Sequence, residues 1–270
     1  MPVQRFDNFE LFYEIHGTGT PVMLVPGLAG IGNYWMPQIE VLQKNNFQVV
    51  IHDHRGCGRS SSSRIEYSIE QMANDLVLLM DRLNIKKAHL VGHSTGGAMG
   101  QVVAIEYPER LISLTLANTW TKACPFRKRV MATRKALLRD SGAEAYTAAT
   151  PLFLYPSWWI RDHWEILEKT SQNQILNFPP AEIQISRIDA GLKFNRTAEL
   201  GLIQTPTLVI GARDDHLTPA YYSEELATLI PDAKLCIFEQ GAHSCSQTIS
   251  AEFNRVILEF LQSQEILSVS

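Results

Sequence analysis

The sequence predicts an α/β protein: a mostly parallel central sheet flanked by helices, with a helical segment inserted between two strands. Three observations predict it. Short apolar runs such as Val22-Met23-Leu24-Val25 and Thr207-Leu208-Val209-Ile210 suit strands buried on both faces. Such runs alternate with stretches of helical periodicity, which implies parallel strands joined by right-handed crossovers. Finally, the alternation stops between Asn118 and about Asn195 and then resumes.

Each element has its own warrant. Val3 to Phe12 alternates as a strand, and Tyr13-Glu14-Ile15-His16 is expected to pair back with it before the turn Gly17-Thr18-Gly19. The apolar run ending at Val25 leads into the loop Pro26-Gly27-Leu28-Ala29-Gly30, followed by a helix from Met36 to Lys44 and a strand from Phe47 to Ile51. Ser68 to Leu83 carries apolar residues at helical spacing, with Ser68 and Gln71 placed as a capping box. Ala88 to Val91 is a strand, Gly97 to Tyr107 a helix, and Leu111 to Ala117 the next strand.

The interruption holds Trp120, Trp158, Trp159 and Trp164, several helical segments and the break Phe178-Pro179-Pro180. It reads as a helical cap over residues 119–195, inserted into a catalytic core made of 1–118 and 196–270. The strand ending at Ile210 resumes the rhythm. A helix from Pro219 to Ile230, a strand from Lys234 to Phe238 and a helix from Ile249 to Leu261 follow, with a frayed tail expected over Ser263 to Ser270.

Composition narrows the function classes. Of the 270 residues 45% are hydrophobic and 19% charged, which fits an ordinary globular protein and argues against disorder. Lys+Arg 24 against Asp+Glu 28 gives a net charge of -4 without a basic run, so neither nucleic acid nor an anionic membrane is an expected partner. No apolar stretch is long enough to span a bilayer, and Met1-Pro2-Val3-Gln4-Arg5 lacks a signal-peptide core. Cys57, Cys124, Cys236 and Cys245 show no disulfide or metal spacing. Reduced thiols in a cytoplasmic protein, monomeric or homodimeric, are expected.

The chemistry centres on Gly92-His93-Ser94-Thr95-Gly96, which sits between a buried strand and a helix. That setting is what a G-x-S-x-G elbow requires: a sharp turn lifting the serine hydroxyl above the carboxyl edge of the sheet. A serine needs a base to take its proton and a third group to orient that base. In open α/β sheets both should come from loops at the carboxyl ends of later strands. Arg213-Asp214-Asp215-His216 follows one such strand, and Gly241-Ala242-His243 follows the next. The order nucleophile, acid, histidine results. His52 and His54 lack a third ligand at useful spacing, so no metal is expected. His93 is read as packing beside the pocket rather than reacting, and Cys245 as unactivated.

These motifs, together with Asp53-His54-Arg55-Gly56-Cys57-Gly58-Arg59-Ser60, make nearly the whole chain resemble an α/β-hydrolase. The resemblance implies the α/β-hydrolase fold and a cofactor-free triad of Ser94, Asp215 and His243. The family's spacing to Pro219 favours Asp215 over Asp214, whose expected task is to cap the turn. The family's oxyanion donors carry over to the backbone N–H groups of Leu28 and Thr95, with Pro26 standing where relatives usually have His. Asn118 stands where some relatives place their acid. Trp120, Tyr155 and Trp158 are candidate substrate contacts, although aromatics of this kind more often form a cap core.

A narrower resemblance rests on Gly32-Asn33-Tyr34-Trp35, Ser141-Gly142-Ala143-Glu144-Ala145-Tyr146, Pro151-Leu152-Phe153-Leu154-Tyr155-Pro156 and Phe253-Asn254. These look like the aminoacrylate (formerly carbamate) hydrolases of pyrimidine degradation. A small polar ester, amide, lactone or enamine is the implied substrate. An enol-lactone or short carboxylic ester is the alternative, and a ligand sensor on the same scaffold is the alternative of another class.

Overall fold

The computed structural model describes residues 2–269, with side chains to residue 265. Its strands are β1 (Val3–Arg5), β2 (Glu10–His16), β3 (Thr20–Val25), β4 (Phe47–His52), β5 (Ala88–His93), β6 (Leu111–Ala117), β7 (Thr207–Ala212) and β8 (Lys234–Phe238). They form one eight-stranded sheet in the order β1-β2-β4-β3-β5-β6-β7-β8. β1 and β2 run antiparallel to their neighbours, and every pairing from β4 to β8 is parallel.

The first hairpin differs from the expectation. The chain turns at Phe6–Phe9, where the Phe6 N–H donates to the Phe9 carbonyl at 2.9 Å, and Val3 pairs with Phe12. Asp7-Asn8 supplies the turn chemistry, and the rings of Phe6 and Phe9 stack across it at 4.5 Å. β2 then runs straight on through Tyr13–His16 to pair with β4.

The parallel strands are joined by α1 (Met36–Lys44), α2 (Ile69–Arg82) and α3 (Thr95–Glu106), then α8 (Tyr221–Leu229) between β7 and β8. After β8 come a short helix, α9 (Cys245–Thr248), and α10 (Ser250–Val269). The expected frayed tail is therefore helical to Val269, and Ser270 lies outside the described residues. Alternate residues of one strand enter opposite layers. Met23 and Val25 of β3 join the core under α2 and α3, whereas Val22 and Leu24 join the core under α1 and α10. This double burial is why the strands read as continuous apolar runs. Ser68 caps α2 by accepting from the Gln71 N–H at 3.0 Å. The box is only half made, because the Gln71 side chain turns to Asp75 instead.

Between β6 and β7 lie α4 (Pro125–Leu154), α5 (Ser157–Asp162), α6 (Trp164–Leu176) and α7 (Ala181–Lys193). α4 is two helical pieces joined at Gly142, whose φ of 81° is open to glycine but strained for other residues. A bridge between Lys122 and Asn195 ties the two ends of this insertion together. A separate apolar cluster of Met131, Leu138, Tyr146, Ile188 and Leu217, with Leu28 packed on it, joins the insertion to loops at the carboxyl edge of the sheet. Among the described residues, no helix is long and apolar enough to cross a membrane.

Candidate active site

Ser94 follows directly on β5 and carries φ 53° and ψ -113°. A non-glycine residue held there costs on the order of 1–3 kcal/mol and persists only where its surroundings enforce it. Here the Ser94 N–H donates to the Ala117 carbonyl at 2.9 Å, and the Thr119 hydroxyl donates to the Ser94 carbonyl at 2.7 Å. The turn closes because both flanking glycines lack side chains. A Cβ on Gly92 would lie 2.4 Å from the Gly96 carbonyl oxygen, and one on Gly96 only 2.2 Å from that of Val25.

Asp215 lies on the loop after β7, buried to 2% exposure. Its Oδ1 accepts the Leu217 N–H at 2.7 Å and the Thr218 N–H at 2.9 Å. Its Oδ2 accepts from His243 Nδ1 at 2.9 Å, from Asn118 Nδ2 at 3.0 Å, and from the Thr218 hydroxyl at 2.8 Å. Burial alone would raise this carboxyl's pKa. The charge and hydrogen bond of His243, with the Thr218 N–H and the Asn118 amide, outweigh burial and hold it below the ordinary value. The Asp215 contact directs the Nδ1 proton and leaves Nε2 of His243 outside the acid's hydrogen bonds.

Asp214 faces the other way. Its carboxylate accepts the N–H groups of Gly241 at 3.1 Å and Ala242 at 2.8 Å, shaping the turn that delivers His243.

The residue before the serine holds the same turn from the opposite side. His93 Nε2 donates to the His243 carbonyl at 2.9 Å, and its ring stacks on Tyr34 at 4.6 Å. Burial, aided by the neighbouring His243, pushes the His93 pKa down to about 3, so its ring stays neutral. The Pro26-Gly27-Leu28 loop passes over the elbow, since a Cβ on Gly27 would meet the Ser94 Cβ at 3.2 Å. Leu28 is thereby brought beside the serine, and its carbonyl accepts from Arg187 of α7 at 3.2 Å. Thr95 opens α3, so its N–H lies ahead of the helical hydrogen-bond ladder, at the positive end of the helix dipole.

The candidate substrate contacts separate. Tyr155 lies beside the site, one residue after Leu154, whose carbonyl accepts the Ser244 N–H at 3.0 Å, and its ring stacks on Trp159. Trp158 is half-buried on α5. Trp120 is wholly buried in the core cluster, with the Arg127 guanidinium 3.4 Å above its ring. The sequence reading did not foresee Thr218 or Asn118 as partners of the acid. A hydroxyl three residues after an aspartate, on a tight loop, is the signal that could have found Thr218. His52 and His54 are buried side by side, and His54 Nδ1 accepts from Arg187 at 2.9 Å. No group of three or more metal-ligating side chains occurs among the described residues.

The sheet order, the strained serine and the buried acid–histidine pair define an α/β hydrolase, and sequence comparison agrees. The family described as alpha/beta hydrolase fold matches residues 20–159. A relative from Azorhizobium caulinodans, carrying the provisional name carbamate hydrolase RutD, is 40% identical over 96% of this chain and 98% of its own. A similarly named protein from Stutzerimonas stutzeri is 38% identical over 94% of this chain. Among solved structures, an enol-lactonase from Burkholderia xenovorans superposes with a TM-score of 0.89 at 26% identity, covering 97% of this chain and all of its own. A thermophilic esterase from Thermogutta terrifontis, described with malate bound, gives 0.84 at 28% identity over 95% of this chain and 94% of its own. The chain therefore belongs to the α/β-hydrolase family and, within it, to the RutD type. It is a hydrolase.

Proposed function

We propose that this hydrolase uses Ser94 as nucleophile, His243 as base and then acid, and Asp215 as the group that orients and charges the histidine. The observation that carries the reading is the buried contact of 2.9 Å between Asp215 Oδ2 and His243 Nδ1, made by residues from two separate loops. Ser94 Oγ attacks the acyl carbon while His243 Nε2 takes its proton, and Asp215 stabilises the imidazolium. The N–H groups of Leu28 and Thr95 hold the oxygen that becomes negative. His243 then protonates the leaving group, and a water activated by the same histidine cleaves the acyl-enzyme. Side chains, two backbone N–H groups and water carry every step of this reading.

Residues 119–195 act as the cap, which restricts access and suits a small substrate. The RutD-named relatives and the enol-lactonase neighbour support a small polar ester, amide, lactone or enamine. Fold alone does not choose among them. The test is intact mass after exposure to a fluorophosphonate. The native chain should gain one adduct, and Ser94→Ala and His243→Ala none. A folded native chain that stays unlabelled would overturn the assignment.

A further inference from the structure

Three buried arginines of the insertion lack a bonded carboxylate among the described residues; Arg187 of α7 is held by the Arg55 and Leu28 carbonyls and by His54, whereas Arg127 and Arg134 have almost no acceptors. Arg127 and Arg134 lie two turns apart on α4, only 3% and 5% exposed, on the face that also buries Met131 and Leu138. A buried guanidinium costs several kcal/mol unless it is paired, and this chain pairs arginines elsewhere: Arg55 with Asp75, Arg59 with Asp53, and Arg196 with three glutamates. Neither α4 arginine has a carboxylate partner among the described residues. Arg127 leaves Nε and Nη1 without acceptors, Arg134 leaves Nε without one, and Arg134 Nη2 reaches only the Thr150 hydroxyl at 3.2 Å.

Aromatic rings hold both groups by their faces. Arg127 lies 3.4 Å over Trp120, and Arg134 lies 4.8 Å from the Tyr146 ring and 5.4 Å from that of Phe153. Cation–π contact uses the flat face of a guanidinium and leaves the in-plane N–H fork free for a planar bidentate acceptor. Burial pulls the Arg127 pKa down to about 10, with Tyr222 and Asp215 opposing the shift and the like charge of Arg134 adding to it. Arg127 therefore feels both the like charge of Arg134 and the negative charge of the proposed catalytic acid. Met131, between them in sequence, packs in one cluster with Leu217 of the Asp215 loop and Leu28 of the elbow-covering loop.

We infer that Arg127 and Arg134 form the subsite for a substrate carboxylate, so that this hydrolase acts on small acids at a bond removed from their carboxylate. The inference deepens the serine-hydrolase reading and rests on it for the reaction, though not for the binding.

Two measurements test it. The first is an NMR titration of the full native chain with propanoate and with the isosteric amide propanamide, neither of which is hydrolysed through an ester. Propanoate should bind at least tenfold more tightly, and Arg127→Gln and Arg134→Gln should shrink that preference to about twofold. Arg134→Lys, which keeps the charge and loses the fork, should fall between. Equal affinities in the native chain, a comparison that needs no variant, would overturn the subsite. So would a preference surviving in both Gln variants.

The second measurement compares kcat/KM for monomethyl succinate, an anion, with dimethyl succinate, which is neutral. If the folded native chain takes no fluorophosphonate adduct while propanoate still outbinds propanamide, the Ser94 reading fails and the subsite stands. If dimethyl succinate is cleaved as readily as the anion, the subsite fails and the hydrolase reading stands.

Discussion

Two buried charged clusters lie on either side of the apolar patch formed by Met131, Leu217 and Leu28, and they are built on opposite principles. Around Asp215 each carboxylate oxygen is filled: Oδ1 by two backbone N–H groups, Oδ2 by His243, Asn118 and Thr218. Around Arg127 and Arg134, N–H groups stand open and no carboxylate among the described residues bonds to them. A filled network fixes one geometry before substrate arrives, as proton transfer needs. An unfilled one spends stability on a charge that only a ligand can satisfy. The contrast separates a cluster fixed by its own hydrogen bonds, the proposed catalytic end, from one that leaves its donors open, the proposed recognition end.

The largest expected effect comes from breaking the filled cluster at its centre. Asp215→Asn keeps the shape but offers Nδ1 of His243 a donor in place of an acceptor. It should lower kcat by on the order of 10⁴ with little change in KM. Loss of less than tenfold on an ester panel would reassign the orienting role.

The second effect is on stability and pH. Burial lowers the pKa of His52 to about 4, of His93 to about 3, and of His54 well below its ordinary value. As pH falls below about 6.5, the unfolded chain takes up protons that these folded histidines refuse. The folded state then loses about 1.4 kcal/mol per pH unit for each of them. Asp75, raised to about 6 by burial despite Arg55, binds its proton more readily when folded and offsets part of that loss below pH 6. Urea unfolding at pH 7 and pH 5 should show a clear net drop in stability at pH 5; equal midpoints would contradict the neutral-histidine assignment.

Smaller again is Thr218→Val, which removes one hydroxyl from the filled cluster. We expect about 1–2 kcal/mol of destabilisation and a rate loss on the order of tenfold, read by denaturation and kcat/KM together. The smallest effect should fall on the open cluster. Arg134→Met exchanges an unpaired buried charge for an apolar side chain of similar length. Its unfolding free energy should stay level or rise by up to about 1–2 kcal/mol, because no ion pair is lost. A destabilisation above about 3 kcal/mol would mean that the guanidinium holds the insertion together, and the contrast between the clusters would fall.

Much of the architecture was legible because it depends on local patterning. The helix expected from about Met36 to Lys44 is present, and the alternation of apolar runs with amphipathic stretches placed the parallel strands. The first hairpin was misplaced because apolar residues recur on both sides of Asp7-Asn8, at Phe6, Phe9 and Leu11, and only the turn chemistry of that pair marks the reversal. The break in α4 at Gly142 escaped for the opposite reason: one glycine inside helical periodicity carries no sign of whether its φ is positive.

At the site, Ser94, the two aspartates and His243 stand out because each sits in a recognisable turn at the end of a strand. Their neighbours do not. Asn118 in contact with Asp215 is a pairing across 97 positions of chain. Nothing local says which face of α4 is covered, so the sequence does not mark Arg127 and Arg134 as buried.

The sequence by itself thus determined the layered sheet, the elbow and the candidate triad residues, since these follow from short-range periodicity and steric demands within a few residues. Only the tertiary structure decided which aspartate faces His243, which residues complete its hydrogen bonds, and which arginines are buried without partners. Those outcomes depend on loops and helices far apart in the chain closing over one another, and desolvation acts on a charge only once they have closed.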